Sequence, residues 1–391
     1  MIRFDAVTKK YPDGTVAVDA LSFEAPSRQI TVLVGPSGCG KTTSLRMINR
    51  MIEPTGGRIM IDDRDTESVS RTELRRGIGY VIQQAGLFPH RTVLDNIATV
   101  PLLLGDDRRK ARGRATELME LVGLAPELAK RYPAQLSGGQ QQRVGVARAL
   151  AADPPVMLMD EPFSAVDPVV RNQLQQEFLR LQGDLGKTIV FVTHDIDEAI
   201  KLGDQVAVLR VGGKLAQLAT PAELLARPAD SFVAGFVGRD RGYRALGFVH
   251  AGTIPLDEAP TVRMGAPLAS AAGLTSDGWV LVVDEGDAPL GWVATAGVPS
   301  GALAGEVTPD VLNLGGTIAT ADGTLREALD SALSSPSGRG VIVDPSGRLL
   351  GTVTASTVVR LIDEHAAASR VAAATRATSA QVGSAEPGGA P

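Results

Sequence analysis

The chain has 391 residues, too many for one ordinary hydrophobic core, and its 44% hydrophobic and 21% charged residues are typical of a globular protein. The net charge of −5 argues against a nucleic-acid partner, because such proteins present a basic surface. Cys39 is the only cysteine, so no disulfide can form within the chain. "MIRFDAVTKK" at the N-terminus has no apolar segment of a signal peptide, and no apolar run reaches the roughly 20 residues of a membrane helix. We therefore expect a soluble or peripheral protein.

Residues 1–238 alternate strand-like and helix-like patterns. Three short apolar runs are typical of buried parallel strands: "ITVLVG", "PVMLMDEP" and "TIVFVTHD". Three longer segments predict helices: "SLRMINRMI", "RVGVARALAA" and "RNQLQQEFLRLQ". This alternation predicts an α/β fold.

Between the first of these strands and the first helix lies "GPSGCGKT", residues 35–42, which matches the P-loop pattern G-x-x-x-x-G-K-[ST]. Glycines there let backbone N–H groups approach phosphate oxygens, and the helix N-terminus adds partial positive charge. Lys41 is predicted to reach the β- and γ-phosphates, and the Thr42 hydroxyl to bind Mg²⁺. The predicted nucleotide-binding residues of this segment are Gly35, Pro36, Ser37, Gly38, Cys39, Gly40, Lys41, Thr42 and Thr43.

A second anion-binding turn is predicted at "LSGGQQQR", residues 136–143, where Ser137 and two glycines open a helix. With the P-loop, this run makes residues 1–238 resemble the ATP-binding cassette of ABC transporters. The resemblance implies a RecA-like core, a helical subdomain carrying the signature run and a β subdomain. It also implies that Ser137, Gly138, Gly139 and Gln140 contact the γ-phosphate of ATP held by a second copy, in a head-to-tail dimer with two shared sites.

The same resemblance implies roles for residues at the strand ends. Asp160 would hold Mg²⁺ through water, and Glu161 would act as the general base for the attacking water. Gln83 would contact the metal and the water, with the adjacent Gln84 as the alternative register. His194 would contact the γ-phosphate.

Two further positions match the family pattern, and the cofactors follow from it. Asp167, in "SAVDP", would cross the dimer interface, and Tyr11, in "KKYPDG", would stack on adenine. The implied cofactors are ATP and Mg²⁺.

Three classes of ABC ATPase compete: the ATPase subunit of an importer, a soluble ATPase acting on DNA or ribosomes, and a soluble regulatory protein not coupled to transport. The chain has no long coiled-coil insertion, one "SGGQ" run and no fused membrane span, which favours an importer subunit. "AGLFPHRTVLDNI" resembles the surface that receives coupling helices of transmembrane permease subunits, although ordinary loop and helix packing explains it too. We expect the chain at the cytoplasmic face of the membrane, with an extracytoplasmic solute-binding protein as an indirect partner.

A boundary is predicted near "GRDRGYRAL", and an internal repeat follows it. Residues 281–293 align with residues 341–353, each reading strand, turn, strand. We predict two α/β units of about 60 residues each, at 246–305 and 306–365, because one such unit could barely bury a core. Residues 366–391, small and polar, are predicted to be a disordered tail.

The repeat resembles a tandem CBS pair, and cassettes that carry one are typical of osmoprotectant importers. "MINRMIEPTGGRI" and "FVGRDR" also resemble that subfamily. The implied solutes are glycine betaine, choline, carnitine or proline betaine, and another small solute such as an amino acid is the alternative.

The residues of the CBS-like pair depart from the pattern of CBS nucleotide sites. CBS nucleotide sites often use G-x-h-[ST]-x-x-D, but Thr357 stands at the Asp position of the second copy, and Ala294 and Gly297 replace both polar positions of the first. A structural or dimerisation role is therefore at least as well supported as nucleotide binding. Trp279 and Trp292 flank apolar strands and are predicted to pack in the core, with an aromatic cage for a quaternary amine as the alternative.

Overall fold

The computed structural model describes residues 1–83, 86–164, 166–271, 274–275, 277–295 and 305–367, and the side chains of residues 169 and 170 are not among them. The chain divides into two compact units, from Met1 to Arg239 and from Asp240 onward. This division falls beside the predicted boundary, while the limits predicted for the individual domains stay predictions.

The first unit contains two sheets. Its strands are β1 (Ile2–Lys10), β2 (Val16–Ala25), β3 (Ile30–Val34), β4 (Gly56–Ile61), β5 (Arg64–Asp65), β6 (Ile78–Val81), β7 (Val156–Asp160), β8 (Thr188–Thr193), β9 (Gln205–Arg210) and β10 (Lys214–Ala219). One sheet has the order β2-β1-β4-β5 and is antiparallel. The other has the order β10-β9-β3-β8-β7-β6 and is parallel except for β10.

The first unit also contains helices. They are α1 (Lys41–Ile48), α2 (Arg71–Arg76), α3 (Val93–Ile97), α4 (Thr99–Leu103), α5 (Arg108–Leu121), α6 (Gly138–Leu150), α7 (Pro168–Leu185), α8 (Ile196–Leu202), α9 (Pro221–Ala226) and α10 (Ser231–Val237). Short 3-10 turns lie at Thr66–Ser68, Pro126–Lys130 and Pro133–Gln135. The α/β prediction is confirmed, as are the three predicted strands.

One predicted helix is shorter than expected. "SLRMINRMI" was expected to be helical to residue 52, but α1 ends at Ile48. The Asn49 side-chain oxygen accepts a hydrogen bond from Met51 N at 3.1 Å, and Arg50 has a left-handed φ of 53°. Asn bonding to nearby backbone and a residue with positive φ are common ways to end a helix.

The centre of the parallel sheet positions the site. Every residue of β3, β7 and β8 is buried, as expected for strands covered on both faces. Because these neighbouring strands run parallel, their carboxyl ends meet at one edge of the sheet. The segments that follow β3, β6, β7 and β8 therefore converge there.

The second unit contains two three-stranded sheets of the same design. Their strands are β11 (Thr261–Arg263), β12 (Trp279–Val283), β13 (Pro289–Ala294), β14 (Ile318–Thr320), β15 (Arg339–Val343) and β16 (Leu349–Thr354). In each sheet the first two strands are parallel and the last two antiparallel. Leu281 pairs with Trp292, and Val341 pairs with Thr352, so the register of the two hairpins repeats. The predicted strand–turn–strand repeat is confirmed.

Helices complete the second unit. They are α11 (Arg241–Ala245), α12 (Leu268–Ala271), α13 (Leu325–Ser334) and a helical stretch over 355–367, with 3-10 turns at Leu246–Phe248 and Pro309–Val311. The capping box that starts α13, between Thr324 and Glu327, satisfies two backbone donors at its N-terminus.

The segments that lead into the two repeats are exchanged between their cores. Ala251 and Ile254 precede the first sheet but pack with Ile342 in the core of the second. Val307 and Leu312 precede the second sheet but pack in the core of the first. Each core therefore includes part of the segment that leads into the other repeat, and the limits predicted for the two units, 246–305 and 306–365, stay predictions.

Backbone pairing explains this exchange. Asp257 forms an antiparallel bridge with Thr352 on β16, and Asn313 forms one with Trp292 on β13. Each lead-in segment thereby covers the edge of the other repeat's last strand, which would otherwise expose unpaired N–H and C=O groups. Such pairing is non-local, so hydropathy alone does not reveal it.

The tryptophans pack as predicted. Trp292 is buried in a cluster with Leu281, Val341 and Val343, and Trp279 packs against that cluster. The core interpretation is confirmed, whereas the CBS assignment of the pair stays a prediction.

Some predictions fall on residues outside the described part of the chain. These are Gln84, Gly297 and the tail, of which only residues 366 and 367 are described, both in a helical conformation. Within the described ranges, no helix combines the length and the apolar character needed to cross a membrane.

Candidate nucleotide-binding and catalytic site

The P-loop between β3 and α1 is built on close backbone approaches. A Cβ on Gly35 would lie 2.4 Å from the carbonyl oxygen of Leu209, and one on Gly40 would lie 2.3 Å from that of Ala17. Gly40 also has a φ of 94°, which side-chain-bearing residues rarely adopt. These two positions require glycine, and they fix the loop against β9 and β2.

Lys41 points back over this loop. Its side chain is 6% exposed, and its ammonium donates to the carbonyl oxygens of Gly35 at 2.7 Å and Pro36 at 3.0 Å. An ammonium held at the mouth of a loop of backbone amides is a point charge suited to a phosphate.

Thr42 and Asp160 form the candidate metal-binding pair. Thr42 Oγ1 donates to Asp160 Oδ1 at 2.9 Å, and Arg46 lies 3.7 Å from the other carboxylate oxygen. Burial raises the pKa of Asp160, opposed by the Thr42 hydrogen bond and the Arg46 charge. A hydroxyl and a carboxylate at this separation are oxygen ligands of the kind Mg²⁺ prefers.

Gln83 and His194 converge on Glu161. Gln83 Nε2 donates to Glu161 Oε2 at 3.1 Å, and His194 Nδ1 lies 3.1 Å from that same oxygen. Glu161 is largely buried, and the His194 ring is more than half exposed. The three residues follow β6, β7 and β8, so the sheet edge assembles them as their order along it predicts.

The backbone of Glu161 is held in an unusual conformation. Its φ is 46°, and its N–H donates to the carbonyl oxygen of Val192 at 2.9 Å. Ser164 Oγ donates to the Glu161 carbonyl oxygen at 2.9 Å. A non-glycine residue in this region is strained by about 1–3 kcal/mol, and such strain is concentrated at functional sites.

The signature run opens α6 as a capping box. Gln140 N donates to Ser137 Oγ at 3.3 Å, and Ser137 N donates to Gln140 Oε1 at 3.0 Å. Ser137 and Gly138 are exposed, whereas Gly139 is buried. The roles predicted for these residues require a second copy and stay predictions.

The two remaining predicted site residues lie on loops of the first unit. Asp167 is exposed just before α7, and its carbonyl oxygen accepts from Arg171 N at 2.8 Å. Tyr11 lies in the turn between β1 and β2, with Lys9 Nζ 5.3 Å from its ring centroid. Their predicted contacts with a partner copy and with adenine stay predictions.

Two residues near the site escaped the sequence analysis. Arg148 on α6 donates to the carbonyl oxygen of Gly86 at 2.7 Å, which links the signature helix to the segment after Gln83. Glu198 on α8 is a buried carboxylate four residues after His194. A carboxylate among apolar helix positions is the signal that could have revealed Glu198.

Taken together, a P-loop, carboxylates and a histidine at the same sheet edge, and a capped Ser-Gly-Gly turn define an ATP-binding cassette. The family model described as ABC transporter matches residues 18–164. Similar solved structures include the dimeric bacterial ABC transporter cassette MJ0796, at 34% identity and a TM-score of 0.52 over 56% of this chain and 99% of that one.

Curated relatives match nearly the whole chain. The osmoprotectant import ATP-binding protein OsmV of Salmonella typhimurium is 44% identical over 90% of this chain and 94% of its own length. The glycine betaine/carnitine/choline transport ATP-binding protein OpuCA of Bacillus subtilis is 42% identical over 93% and 96%. The carnitine transport protein OpuCA of Listeria monocytogenes is 42% identical over 93% and 92%. The chain belongs to the family of ABC transporter ATP-binding proteins.

Proposed function

We propose that this chain is the ATP-hydrolysing subunit of an importer for quaternary-amine osmoprotectants such as glycine betaine, choline, carnitine or proline betaine. The observation that carries the ATPase is the convergence of Gln83 and His194 on Glu161, beside Lys41 and the Thr42–Asp160 pair. The near full-length similarity to importers of these solutes supports the substrate class.

The residues of the first unit fit a magnesium nucleotide. Close backbone packing at Gly35 and Gly40 fixes the P-loop against β9 and β2, and Lys41 supplies a positive charge at its mouth. Thr42, Asp160 and Gln83 would hold Mg²⁺, which when bound neutralises phosphate charge. The backbone N–H groups of residues 35 and 37–43 would bind the phosphates, since Pro36 has no N–H to donate, and Tyr11 would stack on adenine.

Glu161 would act on the water that attacks the γ-phosphate. Its carboxylate oxygen would accept a proton from that water, while Gln83, hydrogen-bonded to it, and His194, 3.1 Å from the same oxygen, would fix its orientation. General-base catalysis of this kind contributes about 10²–10⁴-fold to a rate.

A second copy would complete each site. Ser137, Gly138, Gly139 and Gln140 would contact the γ-phosphate from the partner, and Asp167 would cross the interface. The exposure of Ser137 and Gly138 at a helix N-terminus suits that contact. ATP would thus favour the closed pair, and loss of phosphate would open it, because only the triphosphate bridges both copies.

The wider assembly follows from this proposal. Residues 1–238 would form the cassette, residues 246–305 and 306–365 a CBS pair that regulates it, and residues 366–391 a disordered tail. The cassette would dock on transmembrane permease subunits at the cytoplasmic face of the membrane, with an extracytoplasmic solute-binding protein delivering solute to them.

Reconstitution with the permease and the solute-binding protein in proteoliposomes tests this proposal. We expect glycine betaine, choline, carnitine or proline betaine to stimulate ATP hydrolysis, and the Glu161→Gln variant to give no stimulation. Stimulation by an amino acid alone would favour the other importer class. ATPase activity indifferent to the permease and to every solute would favour a soluble regulatory ATPase.

A further inference from the structure

A buried carboxylate lies beside the segment that carries His194. Glu198 is 6% exposed and lies on α8, one helical turn after His194. Thr193 Oγ1 donates to Glu198 Oε2 at 2.6 Å, and Gln175 Nε2 on α7 donates to Glu198 Oε1 at 3.1 Å. Both oxygens are therefore engaged by side chains that are themselves buried.

The Thr193 hydroxyl also fixes the backbone on the far side of His194. It accepts a hydrogen bond from Asp195 N at 3.0 Å, and the Asp195 carboxylate in turn accepts from the backbone N–H of Asp197 at 2.8 Å and from that of Glu198 at 3.4 Å. Thr193 and Asp195, on either side of His194, thus belong to one ring of hydrogen bonds, and Glu198 closes that ring. The ring restricts the backbone that aims the imidazole at Glu161.

The same carboxylate reaches the helix that follows Asp167. Gln175, which donates to Glu198, lies on α7 one helical turn after Arg171. Arg171 donates to the carbonyl oxygen of Val166, the residue before Asp167, at 3.0 Å. A connected set of contacts therefore runs from the segment that would cross the dimer interface to the segment that carries His194.

We propose that Glu198 is a positioning residue for ATP hydrolysis, which holds His194 against Glu161 through the Thr193 hydroxyl and joins that segment to α7. The carboxylate does not touch the reacting groups; it acts through His194. Burial raises the pKa of Glu198, opposed by the Thr193 hydrogen bond, which is consistent with a group kept for its contacts rather than for exposure to solvent. This inference rests on the ATPase function proposed above.

A pair of threonines on one strand gives a matched test. Thr193→Val removes the hydroxyl that contacts Glu198, while Thr188→Val removes a buried hydroxyl at the opposite end of β8, where it accepts from Arg28 N at 3.0 Å. We expect Thr193→Val to lower kcat about tenfold with little change in KM for ATP, the effect of losing one hydrogen bond to a charged group. Thr188→Val is expected to lower the thermal midpoint without lowering kcat.

A double-mutant cycle with His194→Ala tests whether Glu198 acts through His194. We expect Thr193→Val and Glu198→Ala each to lower kcat in the wild-type background. In the His194→Ala background, the same substitutions should lower kcat almost no further. Glu198→Gln, which keeps one acceptor oxygen, should lose less than Glu198→Ala. Should Glu198→Ala fail to fold, Thr193→Val in both backgrounds gives the same comparison.

The positioning role would be overturned if Thr193→Val or Glu198→Ala lowered kcat by the same factor in the His194→Ala background as in the wild type. It would also be overturned if Thr188→Val lowered kcat as much as Thr193→Val does. Either result would leave the ATPase proposal intact. A His194→Ala variant with undiminished kcat would instead contradict the proposed site, and the positioning role with it.

Discussion

His194 Nδ1 lies 3.1 Å from Glu161 Oε2, although the two residues leave the sheet on different strands. The contact exists because β7 and β8 are parallel neighbours, with Asp160 paired with Val192 at their carboxyl ends. The geometry brings the proposed general base and the imidazole proposed to contact the γ-phosphate to one point, as the proposed hydrolysis requires.

Glu161→Gln should strongly lower turnover without abolishing ATP binding, because it would remove the proposed general base and leave Lys41 and the P-loop unchanged. We expect kcat to fall by about 10²–10⁴-fold. Steady-state ATPase rates and nucleotide-binding titrations measure the two effects. The control is Glu223→Gln, where the glutamate caps α9 and glutamine caps equally well. Comparable activity loss in both variants would exclude a specific role for Glu161.

Lys41→Ala should weaken ATP binding at least about tenfold, since a hydrogen bond to a charged group contributes about 1.5–3 kcal/mol. Lys110→Ala removes an exposed lysine paired with Asp106 and should leave affinity unchanged. Isothermal titration with a non-hydrolysable ATP analogue makes the comparison. Equal affinities for the two variants would contradict the phosphate-binding role.

A comparison of Gly40→Ala with Gly105→Ala separates two effects of a new Cβ: a clash with neighbouring atoms and the strain of a positive φ. The φ values are 94° and 96°, but only Gly40 has an atom, Ala17 O, within reach of the new Cβ. Both substitutions should cost about 1–2 kcal/mol for the left-handed conformation. Gly40→Ala should in addition unfold the loop and lose ATP binding. If denaturation and binding measurements gave the same result for both, the close packing of the loop would not matter.

Much of this site was predictable because its signals are local. The P-loop pattern pointed to Lys41 and Thr42, and the resemblance to the ABC cassette pointed to Glu161 and His194, which follow apolar strands. Other features depend on tertiary packing and could not be predicted. They are the order of the parallel strands, the positive φ of Glu161 and the partners of the Glu198 carboxylate. The exchange of lead-in segments in the second unit is likewise invisible in the sequence, because its pairing partners are distant along the chain.

Asp160→Asn should stabilise the protein while removing its Mg²⁺-dependent activity. Burial raises the pKa of Asp160 above its ordinary value of 3.8, so the native state binds this proton more tightly than the unfolded state. The carboxylate therefore lowers the free energy of unfolding at neutral pH, and that cost vanishes below pH 3.8.

Urea denaturation of both proteins across this pH range checks the sign. The stability advantage of Asp160→Asn should be largest above the raised pKa and should shrink as the pH falls. A variant less stable than the wild type at neutral pH would show that the Thr42 and Arg46 contacts outweigh burial.

The central claim is that two copies share each ATP, with Ser137 of one copy at the γ-phosphate held by the other. The most direct measurement is the molar mass of the Glu161→Gln variant in solution, by light scattering, with Mg²⁺–ATP and with Mg²⁺–ADP. We expect a dimer with ATP, monomers with ADP, and a weaker ATP dimer when Ser137→Ala is added. An ATP-saturated protein that stayed monomeric, or a dimer indifferent to Ser137 and to the γ-phosphate, would contradict the shared site.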